Sequence, residues 1–132
     1  MKEQATLLIV DDSEDEIRLT ERILRRIDPA VRVVSAMSGE EALALLRGSR
    51  TQPALTLLDL KMTGIDGIET LRMIRADEQL KKLAVAVITN STLESDRDKA
   101  MSAGADAVLR KAMDLDLFAE DLRRELEKRI LR

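Results

Sequence analysis

Five short apolar runs recur along the 132 residues, and each is followed by a segment with helical spacing. The runs are Thr6–Val10, Val31–Ser35, Leu55–Asp59, Ala84–Thr89 and Ala107–Arg110. An unbroken run of four to six apolar residues suits a strand covered on both faces, where alternation with polar residues is not needed. Arg32 interrupts the second run, which places that strand at a sheet edge. A helix between successive strands carries the chain back to the same end of the sheet, so the strands are parallel and the crossovers right-handed. The fold class is therefore α/β, a parallel sheet with helices on both faces.

The helical segments carry their own start and stop signals. Ser13 to about Ile27 places Ile17, Thr20, Leu24 and Ile27 on one stripe. Ser38 and Glu41, Asp66 and Glu69, and Ser91 and Glu94 all have capping-box spacing, in which side chains satisfy the orphan N–H groups of a first turn. The second helix is expected to end near Arg47-Gly48, and the fourth, over about Thr92–Ala103 with a thin apolar face of Leu93, Ala100 and Ala103, at Gly104. Ile68, Leu71 and Ile74 form the buried face of the third. The last, about Asp114 to Leu131, places Leu115, Phe118, Leu122 and Leu126 on one side.

Composition removes whole classes of chemistry. The chain has no Cys and no His, which excludes disulfides, thiolate metal sites, imidazole-ligated zinc and Ser-His or Cys-His catalysis. Phe118 is the only aromatic residue, so no base-stacking platform exists. Twenty-two basic residues against 25 acidic ones leave a net charge of −3, the wrong sign for gripping a phosphate backbone; no nucleic-acid partner is expected. No apolar stretch approaches the length of a membrane span or a signal segment, so the expected setting is cytoplasmic, with no membrane partner. What remains is chemistry by carboxylates, hydroxyls, lysines, backbone groups and a hard metal ion.

In an open parallel sheet, ligands gather at the carboxyl ends of the strands. Here those ends carry Asp11 and Asp12, Asp59, Thr89 and Lys111. Two carboxylates ~4 Å apart repel by roughly 4 kcal/mol at an intermediate effective dielectric, so three of them require a compensating cation. Carboxylate oxygens, a backbone carbonyl and waters suit Mg2+. Any one of these residues alone reads equally well as a helix cap or a solvated side chain. Five at one edge, in order, do not.

Other motifs fail. Asp11, Ser13 and Asp15 imitate the start of an EF-hand loop, but Glu16 stands where glycine is required and Arg22 where the bidentate Glu belongs. No glycine-rich phosphate loop occurs. The DxDx[TV] motif of haloacid-dehalogenase-type phosphatases is not matched by Asp11-Asp12-Ser13-Glu14-Asp15.

Segments 7–16 (LLIVDDSEDE), 55–75 (LTLLDLKMTGIDGIETLRMIR), 85–91 (VAVITNS) and 104–112 (GADAVLRKA) resemble a response-regulator receiver domain of the CheY-like, two-component signalling family. The resemblance covers essentially the whole chain and implies a flavodoxin-like, doubly wound sheet of five parallel strands in the order 2-1-3-4-5 with five helices. It implies a single receiver domain over 1–132, with its core at about 5–130 and no effector domain. Asp59 would be the phosphoacceptor, Asp12 the direct acidic Mg2+ ligand, Asp11 a ligand through water, and the Lys61 backbone carbonyl the remaining protein ligand. Lys111 would pair with the phosphoryl group, and Thr89 would be the switch hydroxyl.

The implied function is a single-domain response regulator, not an enzyme beyond its own phosphorylation and dephosphorylation. Its donor would be a sensor histidine kinase or a phosphotransfer protein. The output would be a protein contact through the face formed by the fourth helix, fifth strand and last helix, with homodimerisation one form of it. Mixed charges on the last helix (Asp116, Glu120, Arg123, Arg124, Glu127 and Lys128) suit a matched contact. The rival readings are a pseudo-receiver adaptor that works without phosphorylation and a small Mg2+-dependent phosphatase. Four positions depart from the family pattern: Ala112 and Thr63 where proline is usual, Val108 in place of an aromatic residue, and Asn90 in place of a very small one.

Overall fold

In a computed structural model, which describes residues 5–49, 52–111 and 115–130, the five strands and five helices alternate without exception. In chain order they are β1 (Thr6–Val10), α1 (Glu14–Ile27), β2 (Arg32–Ala36), α2 (Gly39–Gly48), β3 (Leu55–Asp59), α3 (Gly67–Ala76), β4 (Val85–Thr89), α4 (Glu94–Ser102), β5 (Ala107–Arg110) and α5 (Leu115–Arg129). All strand pairs are parallel, and the sheet order is β2-β1-β3-β4-β5. The second strand lies one residue later than the apolar pattern suggests, because its pairing with β1 matches Thr6 to Arg32 and Val10 to Ala36. Ala112, the start of the last helix at Asp114 and its end at Leu131 lie outside the described residues.

Alternation along each strand divides the core between the two faces of the sheet. Leu8 and Val10 join α2 and α3 residues such as Leu43, Leu46, Leu71 and Ile74 on one face. Leu7 and Ile9 join Ile17 and Leu24 of α1 and Phe118, Leu122 and Leu126 of α5 on the other. Leu57, Leu58, Ala86 and Val87 in the central strands are fully buried, as a strand covered on both sides requires. β2 is an edge, with Arg32, Val34 and Ser35 exposed. Among the described residues, no helix is long and apolar enough to cross a membrane.

Two of the three capping-box signals are realised. Ser38 and Asp66 accept the N–H groups of Glu41 and Glu69 at 3.0 and 2.9 Å, and Ser13 caps α1 in the same way through the Glu16 N–H at 3.3 Å. The third is not. Leu93 is the N-cap of α4 and supplies no side-chain bond, while the Ser91 hydroxyl accepts the Leu93 N–H at 3.1 Å, inside the preceding turn. Ser91 therefore shapes the loop rather than starting the helix. At the other end Gly104, at φ +109, closes α4 as expected: Gly104 N–H donates to Met101 and Ala105 N–H to Ala100, a pairing that needs a left-handed residue.

Two expected apolar faces are thinner than their spacing suggests. Leu93 is 61% exposed, leaving α4 with Ala100 as its one fully buried side chain among the described residues. Leu115 is exposed too, because the stripe of α5 that meets the sheet begins at Phe118.

Candidate functional site

Register assembles the site. Val10 is level with Leu58, Asp59 with Ile88, and Thr89 with Arg110, so the residues at the strand ends stand side by side. Backbone bonds continue the ladder past the strands: Asp11 N–H to Ala36 at 3.1 Å, Leu60 N–H to Ile88 at 3.0 Å, and Lys111 N–H to Thr89 at 2.8 Å. These bonds hold the loops that carry the acids in fixed positions.

Carboxylate oxygens of Asp11, Asp12 and Asp59 all lie within 4.8 Å of one another. Asp11 is buried, and both of its oxygens are engaged: Oδ1 accepts the Ser13 N–H at 2.9 Å, and Oδ2 faces Lys111 Nζ at 3.3 Å. Asp12 Oδ2 accepts the Thr63 N–H at 3.0 Å, tying the β1–α1 loop to the loop after Asp59. The Asp59 carboxylate is pushed up to about 6, chiefly by burial and then by the Asp11 charge. The Lys111 charge and the Lys61 backbone N–H oppose that shift without cancelling it, and Asp12 adds to it.

This is the electrostatics of a cation site. Octahedral Mg2+ binds oxygen at about 2.0–2.1 Å, which puts opposite ligands ~4.2 Å apart, a spacing the three acids already approach. The donor set is all oxygen, and the Asp11 and Asp12 charges add to the burial that raises Asp59. The residues present fit a hard divalent cation.

A recess of about 240 Å³ is lined by Asp59, Lys61, Thr89, Asn90 and Ser91. With liquid water occupying ~30 Å³ per molecule, that space accommodates a tetrahedral anion and several waters. Thr89 is buried, and its hydroxyl oxygen accepts the Ser91 N–H at 3.0 Å, leaving its own O–H free to donate. Thr89 also borders a second recess of about 250 Å³, between the start of α4 and β5, that reaches Val108 and Arg110.

All the side chains expected at the site meet there. One that the sequence did not single out joins them: Glu16, on the first turn of α1, forms an ion pair with Lys111. Its spacing from Asp11 carries no recognisable signal, since the contact depends on how α1 lies against the end of β5. Several charges on α5 pair within the helix. Arg124 pairs with Asp121, while Lys128 and Arg129 pair with the buried Glu125, so part of that mixed-charge surface is satisfied within its own helix.

A doubly wound, flavodoxin-like sheet with this carboxyl edge defines a signalling receiver fold. The response regulator receiver domain family matches residues 7–123, and the chain belongs to that family. It is 32% identical over 126 residues to a probable methanogenesis regulatory protein, FilR2, of Methanothrix harundinacea, covering 92% of this chain and 79% of that one. Several other curated relatives are much longer, and the chain spans 25% to 43% of their length. The phosphorylated cyanobacterial phytochrome response regulator RcpA superposes with a TM-score of 0.85 at 28% identity, over 95% of this chain and 93% of that one. The Mn2+-bound form of the response regulator Rcp1 gives 0.78 at 28% identity, over 94% and 92%.

Proposed function

We propose that the chain is a response regulator receiver that accepts a phosphoryl group on Asp59 and signals through phosphorylation-dependent protein contact. The observation that carries this reading is the Asp11–Asp12–Asp59 oxygen cluster, with Asp59 opening onto the recess beneath Thr89 and Asn90. The phosphorylated state of RcpA and the Mn2+ in Rcp1, both close structural relatives, support it.

In the reaction, an Asp59 carboxylate oxygen attacks phosphorus in line, the bond from phosphorus to the donor nitrogen breaks, and its electron pair leaves with the imidazole. The donor is the phosphohistidine of a sensor histidine kinase or phosphotransfer protein. Asp12, Asp59 and the Lys61 carbonyl would hold Mg2+ directly, and Asp11 would hold it through water. When bound there, the ion would supply the positive charge that offsets the carboxylates as an anionic phosphoryl donor approaches. Lys111 offers its ammonium to a phosphoryl oxygen, and Thr89 donates its O–H to another. Hydrolysis by water later returns free Asp59. Apart from these two steps on its own carboxylate, the chain is no enzyme.

Output leaves through α4, β5 and α5, toward a downstream protein target or a second copy of the chain. α4 suits that role because Ala100 is its one fully buried anchor among the described residues, so little opposes its movement. The setting is the cytoplasm, with neither nucleic acid nor membrane as partner.

Acetyl phosphate with Mg2+, read by intact mass, tests the reading. The parent gains one phosphoryl group and Asp59→Asn gains none; equal labelling of both removes Asp59 from the role.

A further inference from the structure

The Lys111 ammonium is shared. Its side chain is 10% exposed, and it sits between Asp11, at 3.3 Å, and Glu16. Both carboxylates are fixed by the start of α1. Asp11 is held by the Ser13 amide, and Glu16 sits on the turn that Ser13 caps through the Glu16 N–H itself. The Lys111 backbone is pinned to Thr89, so only its four-carbon stem is free to redirect the charge.

Glu16 is not an ordinary surface partner. Its side chain is 40% exposed, yet the Oε2 facing Lys111 is shut off from water and, among the described residues, has no other polar partner. The other acids of the same turn differ: Glu14 pairs outward with Arg18, and Asp15 is exposed. A buried carboxylate oxygen with one cation for company resists losing it, since separation leaves a desolvated charge uncompensated.

We propose that Glu16 is a positioning residue that holds the Lys111 ammonium on the α1 side of the site and competes for it with the phosphoryl group on Asp59. The inference rests on the phosphoacceptor reading of Asp59. When a phosphoryl oxygen draws Lys111 across, Glu16 Oε2 loses its partner and the carboxylate turns toward solvent. Glu16 thereby weakens the hold on the phosphoryl group, and it registers phosphorylation at the surface of α1, away from Thr89.

Beryllofluoride, a phosphoryl mimic, titrated with saturating Mg2+ and followed by fluorine resonance, measures the competition. Glu16→Gln is expected to bind it about three- to tenfold more tightly than the parent. Asp15→Asn removes the same charge from the same turn without touching Lys111, and is expected to stay within about twofold of the parent. Glu16→Asp keeps the charge but falls one methylene short, and is expected to follow Glu16→Gln. In the metal-free protein, the Lys111 Nζ nitrogen resonance is expected to shift in both Glu16 variants and not in Asp15→Asn.

Parent-like affinity in Glu16→Gln overturns the proposal. So does equal tightening by Asp15→Asn, or parent-like behaviour of Glu16→Asp, because each makes the effect one of charge rather than contact. No beryllofluoride binding by the parent overturns the Asp59 reading, and this inference with it.

Discussion

The Thr89 hydroxyl oxygen accepts the Ser91 N–H at 3.0 Å, and the Ser91 hydroxyl accepts the Leu93 N–H at 3.1 Å, so two short bonds run from the recess beside Asp59 to the first residue before α4. No side-chain cap holds that helix start independently. A small displacement of Thr89 therefore reaches α4 through the backbone. Thr89→Ala is expected to accept phosphate at Asp59 while losing most of the resonance shifts in residues 89–102 that accompany it. Shifts of parent size in the variant would take the switch away from this hydroxyl. Since Val108 is aliphatic, switching is expected to proceed with no aromatic rotamer change at that position.

Asp59 makes stability depend on pH in a defined direction. Its folded-state value of about 6 lies above the ordinary 3.8, so between those values the folded chain binds more protons than the unfolded one. The stability this group contributes is fully present below about pH 4 and is lost as pH rises through about 6. Asp59→Asn is expected to be about 1 kcal/mol more stable than the parent at pH 7 without Mg2+, after allowance for solvent screening of a partly exposed group. The gain is expected to vanish near pH 3.5. Urea titrations at both values check it, and a gain of equal size at both would contradict the electrostatic origin. Mg2+ affinity of the parent is expected to fall as pH drops below about 6, as protons compete for Asp59.

Asp12→Ala is expected to keep the fold, since removing one of three crowded acids relieves repulsion, while Mg2+ affinity falls on the order of tenfold or more. Calorimetric titration with Mg2+ measures it, and an unchanged affinity would move the cation away from Asp12.

Asn90 lines the recess over Asp59 together with Lys61. Hydrolysis needs a water in line behind phosphorus, and that water would have to share this recess with these two side chains. Asn90→Ala is expected to shorten the lifetime of the phosphorylated protein, followed by loss of labelled phosphate. A longer lifetime would mean that Asn90 orients the water instead.

Gly67 opens α3 directly against the end of the strand that carries Asp59. A Cβ there would collide with the Asp59 carbonyl oxygen and lie 2.8 Å from Leu60 Cα. Gly67→Ala is expected to cost about 2–3 kcal/mol and to weaken Mg2+ binding as the Asp59 loop shifts. Thermal unfolding with and without Mg2+ reads both effects.

Strand identity was legible because burial on both faces demands unbroken apolar runs, and the fold class followed from their alternation with helices. The caps at Ser38 and Asp66 were legible for a similarly local reason: the acceptor and the N–H it serves lie three residues apart. Ser91 shows where local reasoning ends. Its spacing from Glu94 is that of a cap, but the turn after Thr89 claims its hydroxyl first. Leu93 and Leu115 fail likewise, because helical spacing says which residues share a face and not how far that face reaches over the sheet.

The sequence by itself determined the composition of the site: acids after the first and third strands, a hydroxyl after the fourth, an ammonium after the fifth, all at one edge because parallel strands end together. Tertiary structure decided the energies. Asp59 is raised because burial and Asp11 outweigh Lys111, and Lys111 is divided between Asp11 and Glu16 because the first turn of α1 lies beside the end of β5. Such effects depend on separations of a few ångströms between segments up to a hundred residues apart in the chain, and one-dimensional spacing carries no record of those distances.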